Sequence, residues 1–190
     1  GRRDNAFKAR IKILVKALGA AEFARQVEEE WAHLKDGPAT LTEAEVERIA
    51  RHFTAPPYAT LADDDFDFAN HRQQDKAFTR WVERNVHGHK VSGYAAITVS
   101  LKAYDHATGN ITAEQMELVA DLADRYSFGE ARVSHEQNLI LADVAKRDLH
   151  ALWQELRANG LATPTVGLLT DIICCPGGDL CSLANAKSTP

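Results

Sequence analysis

The feature that most constrains the fold is an ordered series of strand and helix signals between residues 94 and 159. Residues 94–101, YAAITVSL, are rich in β-branched and apolar side chains, which is typical of a central strand. Thr112 and Gln115 have the spacing of a capping box, which opens a helix. The full series is a strand at 94–101, a helix from 112 to about 126, two strand pieces or one bulged strand at 132–134 and 138–144, and a helix at 146–159. It predicts an α+β fold, with an antiparallel sheet and helices on one face.

The first third of the chain carries weaker, mainly helical patterns. Apolar residues recur at helical spacing on one stripe of residues 4–18, and again in a second segment that includes Phe23, Val27 and Trp31. Thr42 and Glu45 form a second possible capping box, which starts a short helix that ends near residue 53. We therefore expect a helical segment over residues 1–53.

Residues 54–86 give the least distinct signals. Pro56 and Pro57 precede the acidic run 63–65, so residues 54–70 are predicted to be an extended, exposed connector. The acidic run lacks the alternating ligand spacing of a calcium loop and is interpreted as solvated. Residues 78–86 are predicted to form an extended or half-buried segment. Residues 87–89, His-Gly-His, are interpreted as a surface turn in preference to a metal site.

Composition excludes several classes of function. The chain has 190 residues and a net charge of −5, and it shows no basic stripe, which argues against nucleic-acid binding. It contains no apolar run of membrane-spanning length and no apolar signal core at its start. Its cysteines are an odd, tightly grouped set, which makes a poor secreted disulfide framework. A reducing cytoplasm is the expected location.

All three cysteines, Cys174, Cys175 and Cys181, lie close to the Pro-Gly-Gly sequence at 176–178. Thiolates on a glycine-rich loop suit a soft metal or an iron–sulfur cluster. The five residues between Cys175 and Cys181 are too many for a zinc knuckle. The residues by themselves leave open a disulfide, buried thiols without a role, or a zinc or redox-switch site that uses all three cysteines.

Two motifs resemble the sirohaem-dependent nitrite/sulfite reductases. The Cys-x5-Cys spacing of Cys175 and Cys181, with glycines between them, resembles the first half of the cluster-binding signature of that family. Residues 132–141, RVSHEQNLIL, resemble its Arg-x-Thr-x-x-Gln-Asn-Leu element, with Ser134 at the usual threonine position. The second cysteine pair of the family pattern is absent before Pro190. The resemblance therefore implies an internal piece of a longer reductase, which by itself is incomplete and inactive.

The resemblance also implies a domain plan and a set of site residues. Cys175 and Cys181 are expected to ligate a [4Fe–4S] cluster, and Arg132, Gln137 and Asn138 are expected to contact sirohaem. Cys174 is interpreted as a small buried apolar residue, and no catalytic residue is assigned to this chain. The expected parts are a helical segment closing the preceding sirohaem-domain half at 1–53, a linker at 54–72, a ferredoxin-like half domain at 73–163, and the start of the cluster-binding and sirohaem-binding domain at 164–190.

The reaction implied by the resemblance is the six-electron reduction of sulfite to sulfide, or of nitrite to ammonia, with sulfite weakly preferred. The expected partners are the small anion and an electron donor, either ferredoxin or a flavoprotein, with no nucleic acid and no membrane. A different class of function, a cofactor-free structural or binding module on the same scaffold, stays open.

Overall fold

The computed structural model describes residues 4–5, 9–104 and 106–187. The chain divides into two compact units, residues 1–55 and residues 56–190, which are called here the N-terminal unit and the sheet unit. Within the described ranges, no helix combines the length and the apolar character needed to cross a lipid bilayer.

The N-terminal unit is helical, as predicted. Its helices are α1 (Ile11–Leu18), α2 (Ala20–Leu34) and α3 (Glu43–Ala50). The predicted start of α1 near residue 4 is wrong, because the helix begins at Ile11; residues 6–8 of that prediction lie outside the described residues. The cap of α3 is confirmed, since the Thr42 side chain accepts a hydrogen bond from the Glu45 N–H at 3.3 Å.

The sheet unit is built on four antiparallel strands in the spatial order β1-β2-β4-β3. The strands β2 and β4 are central because they carry the apolar runs that the sequence shows, and β3 and β4 form a hairpin. The pairing of β2 with β4 is irregular between Ala95 and Ile97. The strands are β1 (Val86–Gly88), β2 (Tyr94–Val99), β3 (Ala131–Val133) and β4 (Leu139–Ala145).

Four helices accompany the sheet and form the core with one of its faces. Side chains alternate along β2, so that Ala95, Ile97 and Val99 face the helices, while Thr98 and Ser100 face the other side. Trp81 and Trp153 are buried in this core. The helices are α4 (Phe66–Gln74), α5 (Lys76–Asn85), α6 (Ala113–Tyr126) and α7 (Leu149–Ala158). The predicted α+β class is confirmed.

Helix α5 overturns the prediction of an extended segment at residues 78–86. The Asp75 carboxylate caps the helix by accepting hydrogen bonds from Ala77 N and Phe78 N at 2.8 and 3.1 Å. Residues 78, 81, 82 and 85 then fall on one stripe of the helix, and burial of this stripe stabilises the helical conformation. The predicted extended connector is wrong in its last part for the same reason, because Asp65 caps α4.

Residues 87–89 are also structured differently from the surface turn that the sequence predicts. His87 lies in β1, and its Nε2 is 3.0 Å from the Thr98 Oγ1 of β2. His89 follows the strand, and its Nε2 is 3.1 Å from the buried carboxylate of Asp143. The two imidazoles therefore have separate partners, and each contact stabilises the fold of the sheet unit.

Candidate cofactor-binding site

The hairpin turn between β3 and β4 forms the base of the candidate site. The Ser134 hydroxyl accepts hydrogen bonds from Glu136 N and Asn138 N, both at 3.2 Å, and the Ser134 N–H donates to the Asn138 carbonyl at 2.9 Å. Gln137 occupies the left-handed region with φ of 58°, which is uncommon for a residue with a side chain. The turn therefore holds Gln137 in a fixed and costly conformation.

The Gln137 amide is fully used by the backbone of Cys174. Its Nε2 donates to the Cys174 carbonyl at 2.7 Å, and its Oε1 accepts from the Cys174 N–H at 2.8 Å. Two such bonds to one residue fix both the position and the direction of the chain at Cys174, as a neighbouring strand would. The cysteine-bearing segment is thus attached directly to the β3–β4 turn.

Asn138 is buried and connects the end of β2 with the segment that precedes the cysteines. Its Oδ1 accepts from Leu101 N at 3.0 Å, and its Nδ2 donates to the Asp171 Oδ1 at 3.1 Å. Both ends of this amide therefore have protein partners, so burial leaves neither end unsatisfied.

Lys102 completes the attachment with a buried ion pair. Its Nζ lies 3.1 Å from the Asp171 carboxylate and donates to the Glu136 carbonyl at 2.8 Å. The side chains of Lys102 and Asp171 are only 1% and 8% exposed. Burial by itself raises the pKa of Asp171, but hydrogen bonds from Gly167 N, Asn138 and Lys102 outweigh it and hold that pKa below its usual value. Lys102, Gln137 and Asn138, with Asp171 and Cys174, are called the clamp below.

The cysteine loop, residues 174–181, follows the clamp and bends at its glycines. Gly177 has φ of 64°, and its carbonyl accepts from Cys181 N at 2.9 Å, which closes the turn. Cys175 is exposed, while Cys174 and Cys181 are half-buried. The prediction that Cys174 is a buried apolar residue is therefore wrong, because its backbone is anchored by Gln137 at the surface of the sheet unit.

The three cysteines near the loop are fewer than a [4Fe–4S] cluster requires. Such a cluster takes four protein ligands, usually thiolates, and this chain has three cysteines. In the described ranges, no group of three or more His, Cys, Asp or Glu side chains is arranged to hold a metal ion. The described residues therefore form no complete cluster site on their own, and no reaction step is assigned to them.

The residues predicted to contact sirohaem differ in whether their polar groups are exposed or are engaged by protein partners. Gln137 and Asn138 have both amide atoms engaged in the clamp. The Arg132 guanidinium is exposed on β3 and forms an ion pair with Glu130, which raises the pKa of Arg132 above its usual value. The assignment of these three residues to sirohaem stays a prediction, and the structure gives Gln137 and Asn138 a positioning role beside it.

Sequence reasoning missed Lys102 and Asp171, which belong to the clamp. Neither residue stands in a recognisable motif, and 69 positions separate them. The only local signal is a lysine directly after an apolar strand. A second missed network joins Tyr58, His89 and Asp143: the Tyr58 hydroxyl donates to the buried Asp143 carboxylate at 2.5 Å, which is the largest cause that raises the pKa of Tyr58 to about 12.

Comparison with known proteins finds a family model that matches the sheet and two of its helices. The family model of the nitrite/sulfite reductase ferredoxin-like half domain matches residues 87–159. Those residues contain the whole four-stranded sheet after the first residue of β1, helix α6 and helix α7. Residues 87–159 are therefore similar to the half domain of the nitrite/sulfite reductases. The predicted ferredoxin-like half domain is thereby confirmed over this range.

Curated relatives of the half domain are plant enzymes. The chloroplastic ferredoxin–nitrite reductase of Zea mays is 31% identical over 116 residues, which cover 58% of this chain and 20% of the relative. The corresponding proteins of Arabidopsis thaliana and Spinacia oleracea are 29% and 28% identical over 113 and 109 residues, covering 58% and 55% of this chain and 19% and 17% of the relatives. The chain thus spans about a fifth of the length of the relatives it matches.

Proposed function

We propose that this chain is part of a sirohaem-dependent nitrite/sulfite reductase, in which residues 73–163 are the second ferredoxin-like half domain. In this proposal residues 164–190 begin the domain that binds the [4Fe–4S] cluster and sirohaem, and residues 1–53 close the preceding half of that domain. Cys175 and Cys181 supply two of the four cluster thiolates, and residues outside this chain supply the others. Arg132 faces the carboxylates of sirohaem.

The observation that carries the proposal is the clamp. Gln137 and Asn138 belong to the family-like element of the matched half domain, and they bind Cys174 and Asp171 directly. The half domain therefore presents the cysteine loop as part of its own architecture. Contacts from these two side chains are expected if the cysteine segment and the half domain belong to one structural unit.

The exposed apolar side chains after residue 167 also support the proposal. Exposed apolar surface of this extent is typical of a segment that packs against further protein. Cys175 lies within this surface, so a partner domain that covers it would also enclose the thiol. The exposed residues are Leu168, Leu169, Ile172, Ile173, Leu180 and Leu183.

We propose nitrite as the first substrate to test and ferredoxin as the donor. The curated relatives are named ferredoxin–nitrite reductases, which favours nitrite over the sulfite that the sequence weakly suggested. When bound, sirohaem and the cluster supply the electron-transfer chemistry. The residues of this chain contribute attachment and orientation of the thiols, through the contacts of the clamp.

The proposal is tested on the product of the complete reading frame that encodes this chain. The purified protein is expected to show sirohaem absorption and an iron–sulfur signal, and to reduce nitrite faster than sulfite with reduced ferredoxin. Faster reduction of sulfite than of nitrite would support the proposed reductase type and would contradict nitrite as the preferred substrate. A colourless protein after anaerobic supply of iron, sulfide and sirohaem would contradict the proposal and favour a cofactor-free module, and stoichiometric zinc would favour the zinc or redox-switch alternative.

A further inference from the structure

Three independent features of the structure converge on the side chain of Gln137. It has a left-handed backbone, its amide forms two hydrogen bonds with Cys174, and Gly109 leaves room for it. A Cβ on Gly109 would lie 3.0 Å from the Gln137 Cβ, a tighter contact than side chains normally make. Gly109 has φ of 81°, a conformation that glycine adopts readily and that other residues rarely adopt.

Backbone strain of this kind costs free energy and persists only where surrounding contacts compensate for it. The Gln137 N–H donates to the Ser134 carbonyl at 3.2 Å, and the Ser134 hydroxyl binds the two neighbouring N–H groups. These contacts hold the strained turn, but packing of the side chain alone does not require an amide at its end. The amide matters for Cys174, whose N–H and carbonyl it satisfies together.

We infer that Gln137 is a positioning residue that fixes the backbone of Cys174 and so sets the direction in which the adjacent Cys175 thiol is presented. Lys102 and Asn138 hold the same segment three residues earlier, at Asp171. Because both the N–H and the carbonyl of Cys174 are bound, the orientation of the backbone at Cys174 is fixed, and the attachment at Asp171 holds the segment that precedes it. The identity of what Cys175 binds rests on the proposed function, whereas the positioning itself does not.

The test uses the 190-residue chain with the substitutions Gln137→Met and Gln137→Glu. Methionine has a similar length and removes both hydrogen bonds. Glutamate keeps an oxygen that can accept from Cys174 N but loses the donor to the Cys174 carbonyl. Gln74→Met is the matched control, because the Gln74 side chain is exposed and donates its hydrogen bond to Asn70 within its own helix.

Hydrogen–deuterium exchange of the peptide that contains Cys174 is the first readout, and the alkylation rate of each cysteine is the second. In Gln137→Met, the Cys174 amide is expected to exchange about 30-fold faster, since two hydrogen bonds of about 1 kcal/mol each are lost. Gln137→Glu is expected to fall between Gln137→Met and the native protein, and the alkylation of Cys175 relative to Cys181 should change in parallel. Gln74→Met should leave both readouts unchanged.

Equal exchange of the Cys174 amide in the native protein and in Gln137→Met would overturn the inference. So would equal effects of Gln137→Met and Gln137→Glu, because a purely packing role does not distinguish these side chains. Tryptophan fluorescence checks that each variant is folded. If Gln137→Met does not fold, the comparison of Gln137→Glu with the native protein still tests the inference. If exchange changes as expected but the complete protein binds no cluster, the proposed function fails and the positioning role stands.

Discussion

The buried ion pair of the clamp gives the sharpest stability prediction, through the substitution Lys102→Met. The substitution leaves the Asp171 carboxylate buried without its cation, and the Glu136 carbonyl without its donor. Breaking one partner of a buried pair typically costs about 3–5 kcal/mol. Asp171 keeps the hydrogen bonds from Gly167 N and Asn138, at 3.0 and 3.1 Å, so we expect a loss near the lower end, about 3 kcal/mol.

The assay is urea unfolding followed by tryptophan fluorescence in a Trp31→Phe background. Trp81 and Trp153 are buried in the sheet unit, so the remaining signal reports that unit alone. The matched control is Lys146→Met. Lys146 also pairs with a distant aspartate, Asp63, at 2.6 Å, but that pair is solvent-exposed and should contribute less than about 1 kcal/mol.

The pH dependence gives an independent check of the same pair. The folded state holds the pKa of Asp171 below its usual value, so the stabilisation is present above the unfolded pKa of about 3.9 and is lost as the pH falls through the folded pKa. The difference between the native protein and Lys102→Met should therefore narrow in acid. A loss of less than about 1 kcal/mol at neutral pH, or equal losses for Lys102→Met and Lys146→Met, would refute the reasoning.

Three further predictions concern other parts of the sheet unit. Tyr58 should titrate at about pH 12 in ultraviolet absorption. Because its folded pKa is raised, the stabilisation that Tyr58 contributes should be complete below about pH 10 and lost as the pH rises through 12. A phenol that titrates at its ordinary pKa would contradict the buried hydrogen bond to Asp143. Gly109→Ala should destabilise the unit more than Gly160→Ala, since both have positive φ but only the first would crowd another residue closely, and equal unfolding midpoints would show that Gln137 is not confined. Burial and the stacked ring of His71 lower the pKa of His150, so the free energy of unfolding should fall as the pH drops below about 6.5 and through the folded pKa. His150→Gln should remove this pH dependence, and an unchanged pH profile in the variant would disprove the role of His150.

The sequence predicts the parts of the fold that local signals determine. The capping box of Thr112 and Gln115 is present in full, and helix α6 ends at Tyr126 as expected. The predicted strand at 94–101 and the hairpin strands correspond to β2, β3 and β4. Each of these elements has its periodicity and its cap within a few neighbouring residues, so no distant contact is needed to recognise it.

The errors in the fold have two physical causes. Helix α5 has a local signal in its Asp75 cap, but its apolar stripe is short and interrupted by charged residues, so the helical period is weak. His89 was assigned to a surface turn because its partner, Asp143, is 54 positions away. Tertiary contacts of this kind decide local structure without leaving a local pattern.

The candidate site was predictable only in its reactive atoms. The spacing of Cys175 and Cys181 drew attention to the loop, and the family resemblance identified Gln137 and Asn138 as residues of interest. Their contacts with Cys174 and Asp171 could not be predicted. The Gln137 amide binds backbone atoms 37 positions away, and the Asn138 amide binds a carboxylate 33 positions away. Such pairs follow from the fold and have no spacing rule.

The central claim, that Cys175 and Cys181 are cluster ligands, is tested most directly by serine substitution of each cysteine in the product of the complete reading frame. Electron paramagnetic resonance of the reduced protein measures the cluster, and iron analysis measures its amount. The account predicts that Cys175→Ser and Cys181→Ser abolish the iron–sulfur signal, while Cys174→Ser keeps it. A full signal in Cys181→Ser, or a signal lost only in Cys174→Ser, would contradict the account.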